Sequence, residues 1–407
     1  MKKTPTLSFI TLLLLAAFAA FGAMLPVAVS HNIADYFQIS LSQEQGVMAW
    51  YLAGYALAQL FYGPLANWLG RRKALLIGAG LALIGSVLGL LSTDLKIFEF
   101  YLISRLLSGL GAGSGLIIGM ILIKDLYEKN QARKIFSQIV LSFSFVPFLA
   151  IALGGLLEKY GSWENLNFIL LAYAVLILIL TLKIPETLQA HLSIQPSIYS
   201  LGRSYKKLLS TPAYLKFMIA FGLASSISYL FNSLAPLYLM NIYKLSAQTY
   251  GYLSIFPGMG LLIGGYFSQK LAHKISAQTM MKASIIFMLI ATLGLSVSVY
   301  LNNIWGYLGN WGGFNNLTFF IFYLSAILLF IGQALMVSNS GMEALSHVQD
   351  HANGSSLMNA LALASGSLMV AGVSPLFLLF NLSLPLTLLL IVLISLGLIS
   401  RTQALKI

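Results

Sequence analysis

A run of about 20 apolar residues must satisfy its own backbone as a helix when it crosses a bilayer, so a chain that repeats such runs has few folds open to it. Twelve can be marked in this sequence, at 7–30, 46–66, 74–93, 97–123, 135–157, 165–183, 213–240, 249–269, 279–301, 317–340, 355–379 and 382–400. Composition agrees: 58% of residues are hydrophobic and 8% charged, where a soluble domain has about a quarter charged. The expectation is an all-α membrane protein with twelve transmembrane helices. The longest polar insert separates an N-terminal six-helix bundle, 1–184, from a C-terminal one, 213–407, through a cytoplasmic linker at 185–212. The opening "MKKTPTLSFITLLLLAAFAAFGAM" has the basic start and apolar stretch of a signal peptide. That stretch runs on to Ser30 and eleven more spans follow, so it is read as an uncleaved first helix.

The net charge of +12 could suggest nucleic acid, but the position of each cation on the topology decides what the charge means. With both termini cytoplasmic, all but four of the 23 lysines and arginines fall inside; Lys96, Lys159 and Lys244 fall outside, and Arg105 lies within a span. The positive-inside rule accounts for this charge without nucleic acid, and a multi-pass inner (plasma) membrane location follows. The chain has no cysteine, which excludes disulfides and thiolate metal sites. Glu343, His347, Asp350 and His351 share a helical spacing that could mimic a metal site, but no further ligands accompany them and they are read as a solvated connector. No metal or cofactor is expected.

One loop needs more than topology to explain it. In "YGPLANWLGRRKALLIG" the segment from Gly63 to Arg72 aligns without a gap to the segment from Gly265 to Lys274, an offset of 202 residues, close to half of the chain. Both copies follow the second span of their half, as two parallel repeats of a transporter would require. Gly63, Asn67, Gly70, Arg71 and Arg72, with Gln269 in the second copy, are the candidate gate.

This loop resembles motif A of the major facilitator superfamily, Gly-x-Leu-Ala-Asp-x-x-Gly-Arg-Arg. "QLFYGPLANWLGRRK" is most similar to the bicyclomycin and chloramphenicol resistance branch of drug:proton antiporters, and "YLAGYALAQLFYGP", "RLLSGLGAGSG", "PFLAIALGGLL", "YLFNSLAPLYL" and "NGSSLMNALALASGSLMVAG" extend the likeness along most of the chain. The resemblance implies alternating access around a central cavity and a motif A aspartate that helps hold one face shut. Here that aspartate is Asn67, which loses a charge term worth about 0.3 to 1 kcal/mol at an exposed helix end, so a weaker latch is expected.

Arg105 is the one strongly basic residue inside a span and away from its ends. Placing a cation there costs at least about 2.5 kcal/mol, and such residues usually face a cavity and serve a function. The resemblance implies contact with an anionic substrate group or with a proton-carrying acid. The branch carries that acid in span one, where this chain has Gly22, and each acid of the first six spans, Glu44 included, falls in a loop or at a span end. His31, Asp35 and Glu343 remain as carrier candidates; the ordinary pKa of histidine suits proton exchange. Asn32, Tyr51, Tyr55, Gln59, Tyr229, Asn232 and Tyr252 have the aromatic and polar make-up of a small-molecule site and complete the expected substrate and proton pathway.

The expected function is secondary transport of a small amphipathic organic compound, with proton-coupled efflux of the multidrug type first. The alternatives are a specific metabolite carrier, such as one for a siderophore or peptide, and a non-transporting membrane sensor. No clustered nucleophile and base suggests an enzyme. The partners expected are a small-molecule substrate, the lipid bilayer and protons, with the chain as a monomer.

Overall fold

The computed structural model describes residues 7–128, 131–132, 134–135, 138–139, 145–188, 198–272, 274–307, 312–379 and 383–400. The expected cytoplasmic cations Lys2, Lys3, Lys129, Arg133, Arg401 and Lys406 lie outside them, as do parts of the fifth span and of the linker.

The described residues are helical nearly throughout. Ser8 caps α1 (Phe9–Met24) by accepting from the Thr11 amide. Pro26 has no amide hydrogen to continue that ladder, so the chain tightens into a 3-10 turn, Leu25–Val29, before α2 (Ser30–Phe37). A capping box between Ser40 and Gln43 starts α3 (Leu41–Glu44), which leads directly into α4 (Gly46–Leu69). Then come α5 (Arg71–Leu95), α6 (Phe98–Leu126), α7 (Val146–Tyr160) and α8 (Asn165–Lys183). After the basic helix α9 (Ile198–Leu209), the chain continues as α10 (Pro212–Ile242), α11 (Ala247–Leu253), α12 (Ile255–Leu271), α13 (Ala277–Tyr307), α14 (Gly312–Ser346), α15 (His351–Leu379) and α16 (Ser383–Ser400).

Among the described residues, nine helical stretches are long and apolar enough to cross a membrane. The expected spans 46–66, 135–157 and 249–269 are not among the nine, and each has a physical reason. Helix α4 turns Tyr51, Tyr55, Gln59 and Tyr62 into the protein interior; α7 has part of its expected start outside the described residues; and 249–269 breaks between α11 and α12 at Ser254.

Helix α6 packs on α1, α4 and α5, and α14 packs on α10, α12 and α13. The glycines of "GLGAGSG" explain how α6 serves three neighbours: Gly109 lies against the Tyr51 carbonyl of α4, Gly111 against the backbone of α5, and Gly115 against the Leu15 carbonyl of α1. A side chain at any of the three would separate the helices. Amino- and carboxy-terminal helices meet chiefly where α4 packs on α15 and α7 on α11.

Candidate functional site: a neutral cavity beside a buried charged corner

A cavity of about 650 Å³ lies between the amino- and carboxy-terminal helices, walled by α1, α4, α7, α10, α12 and α14. Tyr55, Tyr229 and Asn232 of the expected pathway line it together, joined by Ser228 and Gln333, which hydrogen-bond each other at 2.6 to 2.8 Å. The amide of Asn232 makes no hydrogen bond among the described residues and so remains free for a ligand. The lining carries no ionisable group other than tyrosine hydroxyls. Apolar and aromatic walls with a few convergent polar groups suit an amphipathic molecule without net charge, because an uncompensated ionic group would lose its hydration there. At one end the cavity reaches exposed Gln269, beside Lys270. Gln59 is buried one helical turn from Tyr55.

The opposite end is closed. His31 donates to the Asn241 side chain at 3.1 Å, the Ser233 hydroxyl donates to the Gln45 amide oxygen, and the Ser367 hydroxyl donates to the Ala49 carbonyl at 2.8 Å. Each bond joins an amino-terminal to a carboxy-terminal helix. Asn32 adds a bond within the amino-terminal helices, donating to Glu158 at 2.7 Å. Tyr252 stands apart from all of these: it is 47% exposed and its hydroxyl accepts from Gln248.

Arg105 is not in the cavity lining. Only 1% exposed, it donates from Nη2 to the Gly22 carbonyl at 2.6 Å and from Nε to the Val47 carbonyl at 3.4 Å, and it lies 4.4 Å from the centre of the Tyr51 ring. In this structure those partners take the place of the anionic substrate group expected from the resemblance. Tyr51 occupies the space that an acid at position 22 would need: a Cβ on Gly22 would lie 2.5 Å from the Tyr51 hydroxyl oxygen. The carboxyl nearest in role is one that sequence reasoning passed over. Glu44, in the connector between the first two spans, is 4% exposed and accepts from Gln45 Nε2 at 2.8 Å. Burial pushes its pKa up to about 8, against the opposing pull of the Gln45 hydrogen bond and the Arg105 charge. One signal could have found it: an isolated buried arginine needs an acid nearby, and Glu44 directly precedes a span.

At the cavity's open end the motif A loop is arranged around an acid from the linker. Glu186 accepts from the backbone amides of Arg71 at 2.9 Å and Arg72 at 3.1 Å, capping the N-terminus of α5, where a negative charge meets the helix dipole. Gly70 permits this, since its φ of 96° disfavours other residues and a Cβ there would run into the Glu186 carboxylate. The Arg71 side chain pairs with Asp125 at 2.9 Å, and Thr187 donates to the same carboxylate oxygen. Gly63 meets nothing within 4 Å of a would-be Cβ, and the exposed Asn67 amide makes no hydrogen bond among the described residues. Asp350 lies at this same end. Burial alone would raise its pKa, but hydrogen bonds from Ser204 and Asn353 outweigh burial and hold it below the usual carboxylate value. Among the described residues no group of histidine and acidic side chains could hold a metal.

Comparison with known proteins bears on this arrangement. The family model described as Major Facilitator Superfamily matches residues 7–371. The bicyclomycin resistance protein homolog of Haemophilus influenzae is 22% identical over 375 residues, 90% of this chain and 89% of that protein. The chloramphenicol resistance protein CraA of Acinetobacter baumannii is 28% identical, covering 72% of this chain and 70% of its own; multidrug resistance protein D of Escherichia coli is also 28% identical, covering 69% and 70%. Among solved structures, a D-xylose-proton symporter superposes with a TM-score of 0.71 at 16% identity, over 96% of both chains. The nucleoside transporter NupG does so with a TM-score of 0.73 at 13% identity, over 98% of this chain and 99% of its own. These likenesses establish the fold, and the family match over most of the chain establishes descent: the chain is a multi-pass membrane transporter, not an enzyme, and belongs to the major facilitator superfamily.

Proposed function

We propose that this protein exports small, uncharged amphipathic organic compounds across the inner membrane in exchange for protons. The observation that carries the reading is the neutral cavity, closed at the His31–Asn241 end and reaching the cation-rich end at Gln269. The cation-rich end is cytoplasmic by the positive-inside rule, with both termini on that side, so the cavity faces the compartment from which a drug is collected. Two six-helix bundles, 1–184 and 213–407, rock about it, joined by the linker 185–212. Tyr55, Tyr229 and Asn232 bind the substrate, and the Arg71, Asp125 and Glu186 cluster opens and closes the cytoplasmic face. The similarity to proteins named for bicyclomycin, chloramphenicol and multidrug resistance supports this substrate class. The chain is taken to work as a monomer.

Expression in a bacterial host stripped of its own drug pumps provides the test. Labelled chloramphenicol should leave the cells against its gradient, and an uncoupler should stop that efflux. Efflux unaffected by the uncoupler contradicts the coupling. A specific metabolite carrier is the second reading, favoured by Gly22 and Asn67, which depart from the drug-exporting pattern.

A further inference from the structure

The coupled proton needs a titratable group that is protected from water in one state of the transporter and reached by it in another. The span-one acid of the family pattern is missing from this chain, and Tyr51 lies where a side chain at Gly22 would project. Arg105 remains, fully buried, with Nη1 lacking any hydrogen-bond partner. A buried guanidinium with only carbonyls and a tyrosine ring for company is incompletely compensated.

Glu44 is placed to complete it. Its carboxyl forms part of the wall of a second cavity, about 10 Å³, which also presents Ser30, Gln45 and Ser233. That is the lower limit of room for one water, and the site offers the polar partners a water requires. Ala23 belongs to the walls of both this small cavity and the large central one, so a change at one is a single residue from the other. Gln45 donates to Glu44 while accepting from Ser233, which sits on α10 among the carboxy-terminal helices. Separation of the helices at this end therefore removes Ser233 from the chain of hydrogen bonds and admits water to the carboxyl.

We propose that Glu44 is the group that takes up and releases the coupled proton, with the Gln45–Ser233 bond linking its exposure to the closing of the helices. The inference rests on the proton-coupled reading above and names its carrier. In the closed state the carboxyl is protonated and neutral. When the seam opens to the outer side, a Glu44 carboxylate takes up a proton from the water there; once the seam has shut and substrate enters the central cavity across the Ala23 wall, the O–H bond breaks, the proton passes to cavity water on the cytoplasmic side, and the carboxylate charge left behind is opposed by Arg105. The ionisable groups around Glu44 fit this assignment. Helix α6 presents Arg105 and Tyr101, and Tyr51 of α4 faces Arg105. Of the groups on α2, His31 is engaged with Asn241 and Asp35 is exposed. Helix α10 contributes Ser233, and the one ionisable side chain of α15, His351, is at its first residue, beside the Asp350 that binds Ser204 at the opposite end.

Two measurements on the purified full-length protein test the proposal. Infrared titration should show a protonated-carboxyl C=O band that disappears between about pH 6 and 9 in the wild type, is absent in Glu44→Gln and returns, shifted, in Glu44→Asp. In proteoliposomes with labelled chloramphenicol as the probe, a gradient of about one pH unit should drive about tenfold accumulation per coupled proton, and Glu44→Gln should abolish that gain. Glu44→Asp controls for folding, since it should recover part of the accumulation. Accumulation in Glu44→Gln equal to wild type, or a titrating band that survives the substitution, overturns the assignment. Wild-type accumulation indifferent to the gradient, with the Glu44 band titrating as described, instead overturns the proton-coupled reading on which the assignment rests.

Discussion

Polar atoms gather in two places inside this protein, and the two are built on opposite principles. The corner around Arg105 is charged, tightly packed and nearly dry: the guanidinium lies against the Tyr51 ring, and the Glu44 carboxyl borders a space with room for about one water. The central cavity is roomy and uncharged, with tyrosine, serine, asparagine and glutamine as its polar groups. Ala23 is common to both walls. The difference shows how a transporter can keep charge, which is expensive to bury, out of the substrate's path while leaving it close enough to respond to what the substrate does.

The comparison is broken most severely at Arg105. Arg105→Gln leaves the Glu44 carboxyl without an opposing charge, and loss of one partner of a buried charged arrangement costs about 3 to 5 kcal/mol. Thermal unfolding in detergent should show that loss at pH 9 and a smaller one at pH 6. The sign follows from the raised pKa of Glu44: its favourable contribution is fully present below the unfolded value of 4.5 and is lost as pH rises through about 8, so a protonated carboxyl at low pH has less need of the arginine. Arg105→Lys should rescue only part, because a point charge cannot address two carbonyls and a ring at once. An equal loss at both pH values would separate Arg105 from Glu44.

An intermediate effect is expected from making the cavity resemble the corner. Asn232→Asp introduces a carboxylate where no cation compensates it, and should weaken binding of a neutral probe by about tenfold, the result of about 1.4 kcal/mol of desolvation. Tryptophan-quenching titrations with chloramphenicol would measure it, and unchanged affinity would remove Asn232 from the binding wall. The smallest effect belongs to the cytoplasmic cluster. Glu186→Gln keeps a hydrogen bond to only one of the two α5 amides, since its amide nitrogen cannot accept, and loses the dipole interaction, worth about 0.3 to 1 kcal/mol at an exposed end; with water free to replace the lost acceptor at this exposed site, it should lower the unfolding temperature only slightly. A large drop would make Glu186 a structural keystone and not a cap.

The same contrast explains what could be read from the sequence. Long apolar helices were legible because hydropathy reports them one segment at a time, and Arg105 stood out because a cation inside a span is conspicuous. The glycines of α6, visible in the sequence as "GLGAGSG", bring it against three helices. Glu44 was passed over because in sequence it belongs to a connector; only the third dimension buries that connector under α2 and α15. Glu186 was likewise hidden, since its partners are backbone amides more than a hundred residues away, and nothing about an amide is visible in the residue letters. Tyr252 looked like a cavity aromatic on composition, but its position on α11 turns it outward. Asn67 was expected to weaken a latch, and the structure finds the nearby helix end occupied by Glu186.

The central claim, that a neutral cavity is driven by a separate buried charge, is tested most directly by comparing two probes in proteoliposomes under an imposed proton gradient. Neutral chloramphenicol should accumulate against its gradient and the permanently charged tetraphenylphosphonium should not. Accumulation of the cation with exclusion of the neutral compound would contradict the account.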